Sequence, residues 1–227
     1  MKTIVDLFFD SVRRGCKAAI LMSGKGGGNA INILNHRAQY QTIQFGCVLS
    51  NNPEGGAAKV AELFGLESII VPGKAGKGFD REEYFQKVAA ELRARKIEVL
   101  IYAGWMLVSP DWFCKEFPGV NMHPADLRVV GENGLPLFTG MPAIKKTLDS
   151  GRATIASTMH VVEASVDCGR VIAVSKEIRF ADLPDTEIET IHQVMKVRCE
   201  HPTYPAVLAM IADGTLLTCD LPVAFRR

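Results

Sequence analysis

Two short segments carry side chains suited to acyl transfer. Asn121-Met122-His123-Pro124 closes a short apolar run, and Asp167 precedes Cys168-Gly169. In an extended chain residues 121 and 123 project from one face, so an amide and an imidazole would line one pocket. An amide N–H can hold a developing oxyanion. An imidazole can donate or relay a proton near neutral pH. A carboxylate such as Asp167 can orient that imidazole and favour its charged form. Each residue also has a plain structural use: His123 as a hydrogen-bonder at a strand end, Asp167 as a turn former. His160 shares a face of an alternating segment with Thr158. No Ser or Cys stands in a G-x-S-x-G elbow, so direct attack by a bound amine or water fits better than a covalent enzyme intermediate. The histidines at 36, 123, 160, 192 and 201 lack HxxxH, HxH or HExxH spacing, and no metal is expected.

A second candidate site is Ser23-Gly24-Lys25-Gly26-Gly27-Gly28-Asn29, between an apolar strand and a helix. Helix N-termini present free N–H groups to anions, and glycines let the backbone come close. A dinucleotide fingerprint would need a third glycine at position 29 and an acid after the second strand. The chain has Asn29 and Ser50-Asn51-Asn52 instead, so NAD is disfavoured. What remains is a phosphate- or carboxylate-binding turn, with an empty tight turn as the alternative. The loop 72–79 has no Lys-Ser/Thr after Gly78, and Lys74 and Lys77 read as a solvated, mobile loop.

These residues need elements to place them. Strands are expected at 17–22, 43–49, 68–71, 99–103 and 119–122. Helices are expected after Asn29, at 57–64 with Gly65 as its cap, and from Asp80 with Glu83 completing a capping box. The alternation predicts an α/β fold: a doubly wound, mostly parallel sheet with helices on both faces, in one domain. Further on, a helix is expected at 140–150 with Thr139 as cap. Paired strands follow at 154–162 and 170–178. A helical stretch at 186–212 should kink or split at Pro205.

The chain has 227 residues, 48% hydrophobic and 22% charged, which suits one domain with a buried core. Lys and Arg number 26 against 25 Asp and Glu, a balance that speaks against general nucleic-acid binding. No apolar run approaches the roughly 18 residues needed to cross a bilayer. The six cysteines form no CxxC pair, which suggests a reducing cytoplasm. At the start, Asp6 and Asp10 break the apolar patch and Arg13-Arg14 follow it, the wrong order for secretion. Residues 1–16 read instead as an amphipathic helical extension that packs on the domain 17–227 or on a partner chain, which leaves a homodimer open.

With these motifs in order, the chain resembles the folate-dependent formyltransferases from about residue 17 to 217. The landmarks are Ser23-Gly24 with Gly28-Asn29, Val48-Leu49-Ser50-Asn51, Arg81-Glu82-Glu83-Tyr84 and Ala103-Gly104-Trp105-Met106. Then come Asn121-Met122-His123-Pro124, Ser157-Thr158-Met159-His160, Asp167-x-Gly169, and Glu200-His201 with Tyr204-Pro205. The resemblance implies a Rossmann-like domain that moves a formyl group from 10-formyltetrahydrofolate to a primary amine, glycinamide ribonucleotide of purine synthesis first among them. It implies Asn121, His123 and Asp167 as catalytic residues, with Thr158 and His160 supporting them. Gly26, Gly27, Gly28 and Asn29 would hold a substrate phosphate, and Glu200 the acceptor's sugar or amide. Arg81 would meet the folate glutamate tail, and Trp105, Met106, Leu107 and Val108 would line the pterin pocket. Its alternatives are water or another amine as acceptor, and a non-catalytic binding protein on the same scaffold.

Several positions depart from the family pattern. The glycine loop is one residue longer, Leu107 replaces a basic residue, and Arg170 replaces a proline. Ala125-Asp126-Leu127-Arg128 and Gly131-Glu132-Asn133-Gly134 replace the usual turn, and Met141-Pro142 falls where a histidine is usual.

Overall fold

Strand β1 (Cys16–Met22) buries both of its faces. Ala18, Ile20 and Met22 enter one apolar cluster, and Ala19 and Leu21 enter another. β4 (Val99–Tyr102) does the same, with Val99 and Ile101 on one side and Leu100 and Tyr102 on the other. Such two-sided burial is what a parallel sheet between helical layers requires. The structure, a computed structural model, describes residues 2–185 and 187–225. Thr186, where the last helical stretch was expected to begin, lies outside them.

The remaining strands are β2 (Ile43–Ser50), β3 (Glu67–Ile70), β5 (Gly119–His123), β6 (Thr154–Ile155), β7 (Thr158–Val161), β8 (Val171–Val174), β9 (Ile178–Arg179) and β10 (Val223–Ala224). Among the described residues, eight of these ten strands form one sheet in the order β10-β8-β7-β5-β4-β1-β2-β3. Its pairs are parallel except those of β7, which runs against β5 and β8. The expected doubly wound, mostly parallel α/β sheet is present. Strand order reverses between β1 and β4, so their C-terminal ends open a crevice of the kind in which such sheets bind ligands.

Helices α1 (Ile4–Arg14), α2 (Gly28–Asn35), α3 (Ala57–Phe64) and α8 (His201–Ala212) supply residues to the first cluster. α4 (Arg81–Ala94) and α5 (Asp111–Glu116) supply the second. α1 packs on its own domain: Phe8, Phe9 and Val12 are buried, and Arg13 donates to the Leu216 carbonyl at 2.6 Å. α6 (Ala143–Asp149) and α7 (Ile188–Met195) enclose a smaller cluster with β6 and β9. Among the described residues no helix is long and apolar enough to cross a membrane.

Three expectations need correction. The helix expected at 140–150 starts at Ala143, capped by Pro142 rather than Thr139. The expected hairpin 154–162/170–178 splits: β7 and β8 join the main sheet, while β6 pairs with β9 in a separate ribbon. The long helical stretch does not split at Pro205: it widens into one π-helical turn at Lys196–Glu200 between α7 and α8, and Pro205 lies inside α8. Proline has no N–H to bond the carbonyl four residues back. The Asn32 amide donates to that carbonyl, His201 O, at 2.8 Å, so the helix continues.

Candidate active site

Register builds the first part of the site. In the antiparallel pair β5–β7, Asn121 lies opposite His160 and His123 opposite Thr158. Side chains directly opposite are within reach of one another, and Asn121 Nδ2 lies 3.3 Å from His160 Nε2. The alternation that puts residues 121 and 123 on one face thus brings the amide and two imidazoles together. The His123 and His160 rings meet edge to face, 6.4 Å apart.

Asp167 enters from the β7–β8 connection. Its φ is +54°, a left-handed conformation uncommon outside glycine. Two residues on, a Cβ at Gly169 would lie 1.9 Å from the Val161 carbonyl oxygen, so only glycine fits. The Asp-x-Gly motif therefore turns the chain and aims the carboxylate inward. One oxygen lies 3.3 Å from His123 Nδ1, and the other 3.4 Å from His160 Nε2. The Gly140 N–H donates to the first at 2.8 Å.

Burial pushes the Asp167 carboxyl up, but His160, the charge of His123 and the Gly140 N–H outweigh it and pull it down to about 2. Burial lowers His123, whose ring is 5% exposed, against the pull of Asp167 and of the Phe138 carbonyl. The arrangement is a carboxylate that stays ionised beside an imidazole whose charged form is disfavoured until more negative charge arrives. Thr158 sits beneath. Its hydroxyl donates to Ala125 O at 2.7 Å and accepts from Leu127 N–H at 3.0 Å, fixing the chain that leaves β5.

The second part is the turn after β1. Gly27 has φ +62°, and a Cβ there would lie 2.6 Å from Val60 Cγ2, so a side chain is excluded twice. Gly26 is open, and Gly28 and Asn29 form the first turn of α2. Asn29 Nδ2 donates to Glu200 at 2.6 Å, across from the start of α8. Glu200 is 2% exposed, and burial raises its carboxyl above the ordinary value. A Cβ at Gly28 would meet Lys196 Cδ at 3.4 Å and His201 Nε2 at 3.9 Å. His201 Nε2 and Asn29 Oδ1 are buried without a hydrogen-bond partner. These unmet polar atoms beside a helix N-terminus suit an anion carrying both donors and acceptors.

Between the two parts lies the turn after β4. Trp105 and Leu107 are buried, while Met106 is 53% and Val108 39% exposed. Trp105 Nε1 is a buried donor with no partner. Met106 N–H donates to Ser23 Oγ at 3.0 Å, and that hydroxyl donates to Asn51 at 2.5 Å. Asn51 in turn donates to Gly73 O. This chain of bonds joins the turns after β1, β2, β3 and β4. Arg81 stands apart, exposed in the first turn of α4, with no bond to Asn121, His123 or Asp167.

Sequence reasoning missed Phe138, whose carbonyl oxygen lies 2.6 Å from His123 Nε2, and Gly140, whose N–H meets Asp167. Both act through the main chain, which leaves no side-chain signal. Lys196 was missed too, although it stands four residues before Glu200.

Residues 16–208 match the family model described as formyl transferase. Over 209 residues the chain is 29% identical to the trifunctional purine biosynthetic protein adenosine-3 of Drosophila melanogaster, covering 90% of this chain and 14% of that protein. It is 25% identical to phosphoribosylglycinamide formyltransferase of Bacillus subtilis (strain 168), covering 86% of this chain and 94% of the relative. The crystal structure of glycinamide ribonucleotide transformylase 1 from Symbiobacterium toebii superposes with a TM-score of 0.75 at 22% identity, covering 92% of both chains.

Proposed function

The chain belongs to the formyl transferase family, and from that membership we propose that it transfers a formyl group from 10-formyltetrahydrofolate to a primary amine, glycinamide ribonucleotide. The observation that carries the reading is the convergence of Asn121, His123 and Asp167 at one end of a crevice whose other wall is the glycine turn. The donor supplies an activated formyl carbon, and the chain supplies placement and proton handling.

In this mechanism the Asn121 amide donates to the formyl oxygen as it gains negative charge. His123 donates through Nε2 to the same oxygen, and the approaching charge favours its protonated form. Asp167 fixes the ring through Nδ1 and balances the imidazolium. His160 gives its Nδ1–H to the Val161 carbonyl, so its Nε2 accepts from the Asn121 amide and holds it beside Asp167. The backbone N–H groups at Gly26, Gly27, Gly28 and Asn29 bind the acceptor's phosphate, helped by Lys196 and His201. Glu200 meets the acceptor's polar groups. Trp105, Met106, Leu107 and Val108 form the wall for the pterin, a fit supported by the exposed Met106 and the unpartnered Trp105 N–H. Arg81 meets the glutamate tail.

The test is calorimetric titration with a stable 10-formyltetrahydrofolate analogue, with and without glycinamide ribonucleotide, beside an assay for the formylated amine. Folate binding enhanced by the ribonucleotide, with turnover, is the expected result. Folate binding indifferent to the ribonucleotide would point to another amine or water. No folate binding by folded protein would overturn the proposal.

A further inference from the structure

The segment between β5 and α6 folds back over the catalytic pair. Val130 and Pro136 form an antiparallel bridge, Gly131 N–H bonds Leu135 O at 2.9 Å, and Leu137 N–H bonds Val129 O at 2.9 Å. Glycines at positive φ stand at 134 and 140. The Phe138 ring, 4% exposed, packs with Ala125, Ala143 and Val129 and anchors this small hairpin. Once the ring is seated, the main chain on either side of Thr139 faces the site. Phe138 O takes His123 Nε2–H at 2.6 Å, and Gly140 N–H meets Asp167 at 2.8 Å.

Asp167 lies 3.3 Å from Nδ1 and the Phe138 carbonyl 2.6 Å from Nε2, so the shorter contact takes the single proton of the neutral ring on Nε2, and protonation adds the second on Nδ1 beside Asp167. The Nε2 donor already serves a carbonyl oxygen of the chain itself. A carbonyl oxygen is also what the proposed reaction must bring to Nε2, and one N–H at 2.6 Å does not serve two acceptors at full strength.

We propose that Phe138 is a positioning residue: its buried ring seats its own carbonyl on His123 Nε2 as a built-in stand-in for the substrate's carbonyl oxygen, which must displace it. This rests on the formyl-transfer reading for the identity of the incoming oxygen, but the contact itself does not. The exchange of one carbonyl acceptor for another keeps His123 aligned before substrate arrives. It also couples entry of the formyl group to movement of residues 137–140.

Long-range proton–nitrogen spectra of histidine-labelled protein test the contact without mutation. The expected result is a hydrogen-bonded proton on His123 Nε2. A bare Nε2 overturns the proposal. Phe138→Ala should raise carbethoxylation of His123 by diethyl pyrocarbonate ~10-fold, as for a site freed from a state closed about nine-tenths of the time. Phe138→Leu, which refills the cluster, should return the rate close to wild type. An unchanged rate in folded Phe138→Ala overturns the proposal. If that variant fails to fold, wild type titrated with the donor analogue decides. The Nε2 proton signal should move as the analogue binds, and binding that leaves it fixed counts against displacement. Absence of folate binding and turnover would sink the formyl-transfer reading alone, since the spectra and the modification rates stand without it.

Discussion

At the β5–β7 end of the crevice, Asn121, His160, Asp167 and His123 are tied to one another, and the ring nitrogens of both histidines have partners. At the β1 end the walls are mostly main chain. The side chains around them, Glu200, Lys196 and His201, come from the junction of α7 and α8, and two buried polar atoms have no partner. The first end is set before any ligand arrives, which is what the proposed catalytic role requires of it. The second keeps hydrogen-bonding capacity in reserve, as suits a site that grips a stable ionic group. The ends should therefore fail differently: one in turnover, the other in affinity.

The largest effect is expected at the first end. His123→Ala and Asp167→Asn should each lower turnover by roughly 10²–10⁴-fold, the usual range for a lost proton-handling group, with the acceptor KM changed far less. Steady-state formyl transfer measures this, and wild-type turnover in both variants would end the assignment. Asp167→Asn also has a signed consequence. The carboxylate raises His123 against the lowering effect of burial. Removing it should move the His123 titration to still lower pH, read by NMR.

The middle effect belongs to the glycine turn. Gly27→Ala places a side chain at φ +62° and against Val60. The strain alone costs ~1–2 kcal/mol, and the turn must shift its N–H groups. The acceptor KM should rise about 10-fold or more, taking ~1.4 kcal/mol as a factor of ten, with kcat within about threefold. A fall in kcat as deep as that of His123→Ala would break the division between the ends.

The two ends also differ in how far the sequence discloses them. The strand bearing Asn121 and His123 and the helix Ala57–Phe64 with its Gly65 cap follow from short-range patterns, and both are found in place. The pairing of Asn121 with His160 depends on a register between strands far apart in sequence, which alternation alone does not specify. Asp167 looks like an ordinary turn residue, and it is one; its second use appears only when β7 and β8 pair. The kink expected at Pro205 gives way to an uninterrupted α8 because the Asn32 amide satisfies the carbonyl that proline frees, a contact from a distant helix that the local sequence does not show. The contacts of Phe138 and Gly140 had no residue-type signature to read.

The smallest effect should come from Glu200→Gln, and it sharpens the contrast best. Glu200 is buried among Asn29, Ser157 and the helix junction, with a carboxyl above its ordinary value because burial opposes its charge. An acid raised in the folded state binds protons more tightly there than in the unfolded chain. Its ionisation therefore costs stability, and that cost grows as pH rises from the unfolded value toward the folded one. The amide variant removes the slope and keeps an oxygen to accept from Asn29. At neutral pH it should be more stable than wild type by on the order of 1 kcal/mol, read by chemical denaturation across pH. Below the unfolded carboxyl range the gain should vanish, because wild type is then neutral too. Its acceptor KM should rise several-fold with kcat nearly unchanged. A residue whose acid costs stability as it ionises, and whose amide loses only affinity, is what a reserve of binding capacity predicts. A Glu200→Gln variant less stable at neutral pH and slow in turnover would make Glu200 part of the rigid end instead.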